Sequence, residues 1–178
     1  MTSTPKMKPW IDAIHAYTPG KSKLDGIAEP VKLSSNENPL GPSPKAIAAM
    51  GAIAGQAHRY PDGASVALRE AIADLHGLEA DRIVCGTGSD EILQLLALAY
   101  ASVGDEVLFA RNSFMVYPIA ARRAGATPVE AADSDYAADV DALLAAVTPA
   151  TRVVYLANPN NPTGTLISGA EVRRLHAG

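Results

Sequence analysis

Apolar and polar positions change rhythm along this chain near residue 82. Residues 1 to about 35 are polar and carry Pro and Gly with little periodicity, which predicts an extended arm. Within the arm, Trp10, Ile11 and Ile14 are spaced for one short amphipathic turn. Turn formers then crowd Asn36-Glu37-Asn38-Pro39-Leu40-Gly41-Pro42-Ser43-Pro44. Ser43 before Pro44 makes an N-cap with Pro in the first helical position, and opens an Ala-rich helix over about 44–54. Arg59-Tyr60-Pro61-Asp62-Gly63 interrupts the chain. A helix over about 64–76 follows, with Val66, Leu68, Ile72 and Leu75 as a partial apolar stripe.

From Arg82 onward, short apolar runs alternate with amphipathic stretches. Strands are predicted at Ile83–Cys85, 106–110, 127–130 and 152–157, and helices at 92–100, about 113–124, 140–147 and from Gly169. This succession predicts an α/β domain with a mainly parallel sheet. The last strand runs into Asn158-Pro159-Asn160-Asn161-Pro162-Thr163-Gly164. Its two X-Pro steps and Gly can continue neither a strand nor a helix, so the loop holds a shape of its own. Its Asn amides both donate and accept hydrogen bonds at the carboxyl end of a strand, where open α/β sheets bind ligands. Taken alone, such a loop is as readily a Pro-rich turn.

Composition narrows the field. The 178 residues suffice for one domain with a real core or for part of a larger one. A net charge of −4 gives no electrostatic argument for nucleic acid or an anionic membrane as partner. No apolar run reaches the length of a membrane span, and Met1–Trp10 lacks the apolar core of a secretory signal. Cys85 is the single cysteine, so no intramolecular disulfide is possible and the cytoplasm is the expected compartment. His15, His58, His76 and His176 form no zinc-ligand pattern, so no metal site is expected.

Gly86-Thr87-Gly88-Ser89-Asp90-Glu91 joins a predicted strand to a helix, where backbone N–H groups and the positive helix end face one space. The turn suits an anion, although a purely structural N-cap is at least as common. It is neither a dinucleotide fingerprint nor a P-loop, because Glu91 stands at the third glycine position and no Gly-Lys-Ser/Thr follows. That absence argues against a Rossmann dehydrogenase. Phe114, in Ser113-Phe114-Met115-Val116-Tyr117, is either core or a lid for a flat ligand.

Taken in order, Asn36-Glu37-Asn38-Pro39, Arg59-Tyr60-Pro61-Asp62, Gly86–Glu91, Ser113-Phe114 and Asn158–Gly164 resemble the histidinol-phosphate aminotransferases. These are class II pyridoxal-phosphate (PLP) aminotransferases of fold type I. Tyr17-Thr18-Pro19-Gly20-Lys21 also resembles that family's N-terminal segment. The resemblance implies a three-layer α/β/α large domain with a mainly parallel sheet, incomplete here and preceded by an N-terminal arm. Residues 1–60 would be the arm and the start of a small domain, and 61–178 the first part of the PLP-binding domain. It implies transamination between histidinol phosphate and 2-oxoglutarate in L-histidine biosynthesis, in a homodimer. Related aromatic amino-acid aminotransferases and threonine-phosphate decarboxylases share the motifs.

By the same resemblance, backbone N–H groups of Ser89 and Asp90 hold the PLP phosphate, Phe114 stacks on its ring and Asn161 bonds its O3′ oxygen. Tyr60 reaches the cofactor phosphate of the partner subunit, and Tyr17 and Asn36 belong to the substrate site. The family's Schiff-base lysine lies well after the Asn-Pro-Thr-Gly loop. Here Lys6, Lys8, Lys21, Lys23, Lys32 and Lys45 are the only lysines and match no such position, so no catalytic residue is assigned. The expectation is therefore an N-terminal part of the enzyme, inactive and poorly soluble alone. A non-catalytic phosphate- or PLP-binding module is the reading from another class.

Overall fold

A computed structural model of the chain describes residues 5–15, 23, 25–28, 30–33 and 35–178. In chain order the elements are α1 (Pro9–Asp12), α2 (Pro44–Ile53), α3 (Val66–His76), α4 (Gly88–Tyr100), β1 (Glu106–Ala110), α5 (Val116–Ala124) and β2 (Thr127–Ala131). They continue with β3 (Asp133–Ser134), β4 (Ala137–Ala138), α6 (Val140–Ala146), β5 (Thr151–Tyr155) and α7 (Gly169–Ala177). Two compact units result. One holds Cys85–Gly178 with the start of the chain up to Ile14, the other His15–Val84.

The larger unit is built on a parallel sheet in the order β2-β1-β5. Its central strand β1 is apolar on both faces, as a strand covered from two sides must be. Successive side chains point to opposite faces. Val107 and Phe109 therefore pack with Ala97 and Ala101 beside α4 and with Tyr117, Ala120 and Ala121 of α5. Leu108 and Ala110 pack the other way, with Ala131, Ala138 and Leu143, and Leu175 of α7 lies against that cluster. This is the α/β domain with a parallel sheet that the alternating pattern predicts, in the three-layer form that the family resemblance implies. Pro128 pairs with Val107 from β2, an edge strand, where a missing N–H costs no second ladder. At the C-cap of α5, a Cβ on Gly125 would stand 3.3 Å from Cε2 of Trp10, so α1 sits close over that turn.

In the smaller unit, Ser43 Oγ accepts the Ala46 N–H at 3.2 Å and Pro44 opens α2, as the sequence predicts. Asp62 accepts the Val66 and Ala64 N–H groups at 2.8 and 3.0 Å and so caps α3, and these bonds hold its carboxyl below the ordinary range. Arg69 gives Nε and Nη2 to the Ala80 carbonyl, fixing the 3-10 turn 80–82 on α3.

Several boundaries differ from the sequence expectation. Ile83–Cys85 forms no strand and enters no pairing among the described residues. Helix α4 starts at Gly88 rather than 92, absorbing all of the glycine-rich turn but Gly86 and Thr87. Helices α3 and α5 begin at Val66 and Val116. The antiparallel hairpin β3–β4 was not anticipated; Asp135 and Tyr136 turn it with φ of 51° and 60°.

Candidate functional site at the carboxyl edge of the sheet

Strands β1 and β5 lie side by side and end together, with Phe109 opposite Tyr155. The loops 111–115 and 156–168 therefore leave from one edge. Helix α4 runs against the strands. The Tyr155 hydroxyl donates to the Leu93 carbonyl near the helix start, while Ala101, just past its end, packs with Val107 in the first half of β1. At 1.5 Å per residue, the first turn of α4 lies roughly 5–8 Å beyond Leu93, which puts it at this carboxyl edge.

That helix start has no side-chain cap from Thr87. The first-turn N–H groups, those of Ser89 and Asp90 among them, have no intrahelical acceptor by helix geometry. Glu91 instead folds back and accepts from the Thr87 N–H at 2.6 Å and Thr87 Oγ1 at 3.0 Å, bonds that lower its carboxyl pKa. The folded-back Glu91 side chain and Ile92 crowd position 86: a Cβ there would stand 2.9 Å from both Glu91 Oε2 and Ile92 Cδ1. Asp90 accepts from Gln94 Nε2 at 2.6 Å.

The loop after β5 is pinned by its own asparagines. Asn158 donates to the Ile167 carbonyl and accepts the Ile167 N–H, at 3.1 and 3.0 Å. Asn160 is the one buried polar residue among those described. Its Nδ2 donates to the Asn112 carbonyl at 2.8 Å and to Thr163 Oγ1 at 2.7 Å, while its backbone bonds Thr165 and Gly164. Asn161, half-buried, follows directly, and both Asn158–Pro159 and Asn161–Pro162 are cis.

The loop after β1 is fixed by Ser113 Oγ on the Ala110 carbonyl. Phe114 is half-buried and meets Tyr117 edge-on, with centroids 5.9 Å apart, and Tyr117 stacks on Tyr155 at 4.8 Å. Burial raises the pKa of both phenols; for Tyr155 the nearby Ala97 N–H opposes the rise and Tyr117 adds to it. Both stay neutral at neutral pH, and Tyr155 is the donor to Leu93.

Of the residues picked from sequence, Ser89, Asp90, Phe114 and Asn161 thus lie on segments that reach one sheet edge. Asn36 and Tyr60 belong to the other unit, both exposed. Tyr17 lies outside the described residues. Asn160, Asp133 and Tyr136 escaped the sequence reading. Asn160 sat within the motif, yet only burial separates it from Asn161; Asp133 and Tyr136 carried no pattern. The donor set suits a flat phosphorylated ring. Helix-start N–H groups are donors suited to a phosphate, a half-buried phenyl offers a stacking face, and an amide can donate to a ring oxygen.

The family model described as aminotransferase class I and II matches residues 28–177. The chain is 62% identical over 174 residues to the histidinol-phosphate aminotransferase of Erythrobacter litoralis, covering 98% of this chain and 47% of that protein. It is 60% identical over 181 residues to that of Zymomonas mobilis, covering 100% and 49%. The chain thus spans about half the length of the curated relatives it matches. Among solved structures, histidinol-phosphate aminotransferase from Sinorhizobium meliloti in complex with pyridoxal-5′-phosphate superposes with a TM-score of 0.82 at 23% identity, a likeness of fold, over 99% of this chain and 48% of that one. A putative histidinol-phosphate aminotransferase from Erwinia carotovora atroseptica gives 0.76 at 31% identity over 91% and 46%.

Proposed function

Because this chain belongs to the family of class I and II aminotransferases, we propose that its activity is PLP-dependent transamination of histidinol phosphate with 2-oxoglutarate, a step of L-histidine biosynthesis. The observation that carries the reading is the 62% identity, across 98% of the chain, to a histidinol-phosphate aminotransferase. The fold is that of the type I PLP enzymes, and the reading is supported by the segments of Ser89, Asp90, Phe114 and Asn161 reaching one sheet edge. PLP, when bound, supplies an electron-withdrawing ring that stabilises charge beside the amino-bearing carbon.

The chain's own residues hold that ring. N–H groups of Ser89 and Asp90, at the start of α4, bind its phosphate with the favourable end of the helix dipole. Phe114 covers one ring face and excludes water from it. Asn161 donates to the ring's phenolic oxygen. Tyr60, exposed on its own unit, serves the phosphate site of the partner in a homodimer, and Asn36 and Tyr17 contact substrate. No lysine follows Lys45, so these 178 residues contribute the holding of the cofactor rather than its covalent attachment. The cytoplasm, where amino-acid biosynthesis runs, is the proposed location.

The test is a coupled assay on the protein expressed in full from its own gene, following glutamate formation from histidinol phosphate and 2-oxoglutarate beside PLP absorbance. PLP uptake with turnover of histidinol phosphate is the expected result. Faster turnover of an aromatic amino acid, or decarboxylation of threonine phosphate, would replace the substrate assignment. A protein that takes up no PLP would overturn the reading altogether.

A further inference from the structure

The two loops at the carboxyl edge lack regular secondary structure, so something else must set the distance between Phe114 and Asn161. The structure ties them through the Asn112 backbone and the β3–β4 hairpin. The Asn112 N–H donates to Asp133 Oδ2 at 2.9 Å, and its carbonyl accepts from Asn160 Nδ2 at 2.8 Å. Asn112, two residues before Phe114, is thus held at its N–H and at its carbonyl, in two successive peptide groups. The hairpin reaches the second loop as well. Thr163 Oγ1 and Thr165 Oγ1 both donate to the Tyr136 carbonyl at 2.9 Å, from the turn held in its left-handed conformation at Asp135 and Tyr136.

We propose that Asp133 and Asn160 are positioning residues, which together lock the Phe114 loop to the Asn161 loop through the backbone N–H and carbonyl of Asn112. The proposal rests on the function above for the identity of the ligand, and goes beyond it in assigning what aligns the two loops. A carboxylate accepting from a backbone N–H forms a charge-assisted bond, stronger than a neutral one. Asp133 keeps it although its other oxygen, Oδ1, is buried without a partner among the described residues. An unsatisfied buried acceptor is costly, so stability alone does not account for an acid at this place. Asn160, buried and spanning Asn112 and Thr163, is the matching grip from the other loop. Neither residue touches the reacting atoms; they act through Phe114 and Asn161.

The experiment compares Asp133→Ala and Asp133→Asn in the protein expressed in full from its own gene. Hydrogen exchange at the Asn112 amide is read without PLP, and PLP affinity is read by titration. Asp133→Ala is expected to expose the Asn112 amide to exchange and to weaken PLP binding about tenfold, the scale of one lost hydrogen bond to a charged group. Asp133→Asn keeps a carbonyl acceptor and is expected to restore both. If Asp133→Ala does not fold, Asn160→Ser, too short to reach the Asn112 carbonyl, removes the other half of the tie and is expected to weaken PLP binding likewise. Unchanged exchange and affinity in Asp133→Ala would overturn the proposal, as would an Asp133→Asn variant no better than the alanine. For an Asn160→Ser variant, unchanged PLP affinity would do the same. A wild-type protein that binds no PLP would instead remove the function, while the exchange readout still judges the tie.

Discussion

At the scale of single residues, position 86 is decided by space. A Cβ there would meet the side-chain ends of Glu91 and Ile92 at 2.9 Å, so Gly86→Ala must displace them, the Glu91 carboxylate on Thr87 included. Overpacking of this kind costs about 1–3 kcal/mol, and a lower Tm in a thermal melt is expected. Glu91 adds a pH dependence. Its carboxyl is held below its ordinary value of 4.5, chiefly by the Thr87 N–H and then by the Thr87 hydroxyl. A depressed folded-state pKa contributes stability that is present above the ordinary value and lost as the pH falls through the folded one. The stability gap between wild type and Glu91→Gln should therefore be open at neutral pH and close below about 4.5, as paired melts across pH 3–6 would read it. Two neighbouring asparagines show where sequence stops at this scale. Asn160 and Asn161 are chemically alike, and only the buried place beneath the Asn112 carbonyl gives Asn160 its separate task.

Among the elements, those with a strong apolar rhythm were legible and those built from polar or small residues were not. Strand β1, with Val107, Leu108 and Phe109, and strand β5, with Val153, Val154 and Tyr155, declared themselves by runs that only a doubly covered or edge strand can bury. The hairpin β3–β4 did not, since Asp-Ser and Ala-Ala offer no alternation and its turn uses Asp135 and Tyr136 rather than Gly. The unpaired Ile83–Cys85 looked like a strand because β propensity describes a half-buried surface, and pairing is settled by the rest of the fold. Of the candidate site, the motif loops were legible as loops; the hydrogen bonds that join them were not, because they link residues 21 and 48 positions apart. Helix α6 depends on a cap that the sequence does carry. Asp139 accepts the Ala142 N–H at 3.1 Å. Replacing it by alanine should cost about 1 kcal/mol, seen as an earlier midpoint in a denaturant melt.

For the molecule as a whole, the sheet has two unlike faces. One is lined by alanines of α4 and α5 that let helices lie close; the other relies on Leu143, fully buried between α6 and the sheet. Leu143→Ala should therefore destabilise the larger unit by about 2–5 kcal/mol, whereas trimming an exposed residue such as Leu95 should change little. Comparing the two variants by urea denaturation would separate them, and equal effects would contradict this account of the core. Outward-facing apolar residues are numerous, among them Val154 on β5 and Leu95, Leu98 and Tyr100 on α4. Light scattering on a chain of these 178 residues alone should accordingly show association, and a monodisperse monomer would count against that expectation. Trp10 leans over Gly125, and the chain contains no other tryptophan. Its fluorescence is therefore a single-site optical gauge of whether the first residues stay seated on the end of α5. Release into water would redden the emission while the tyrosine stack beneath kept its signal, so detachment of the arm and melting of the core would appear as two colours in one titration.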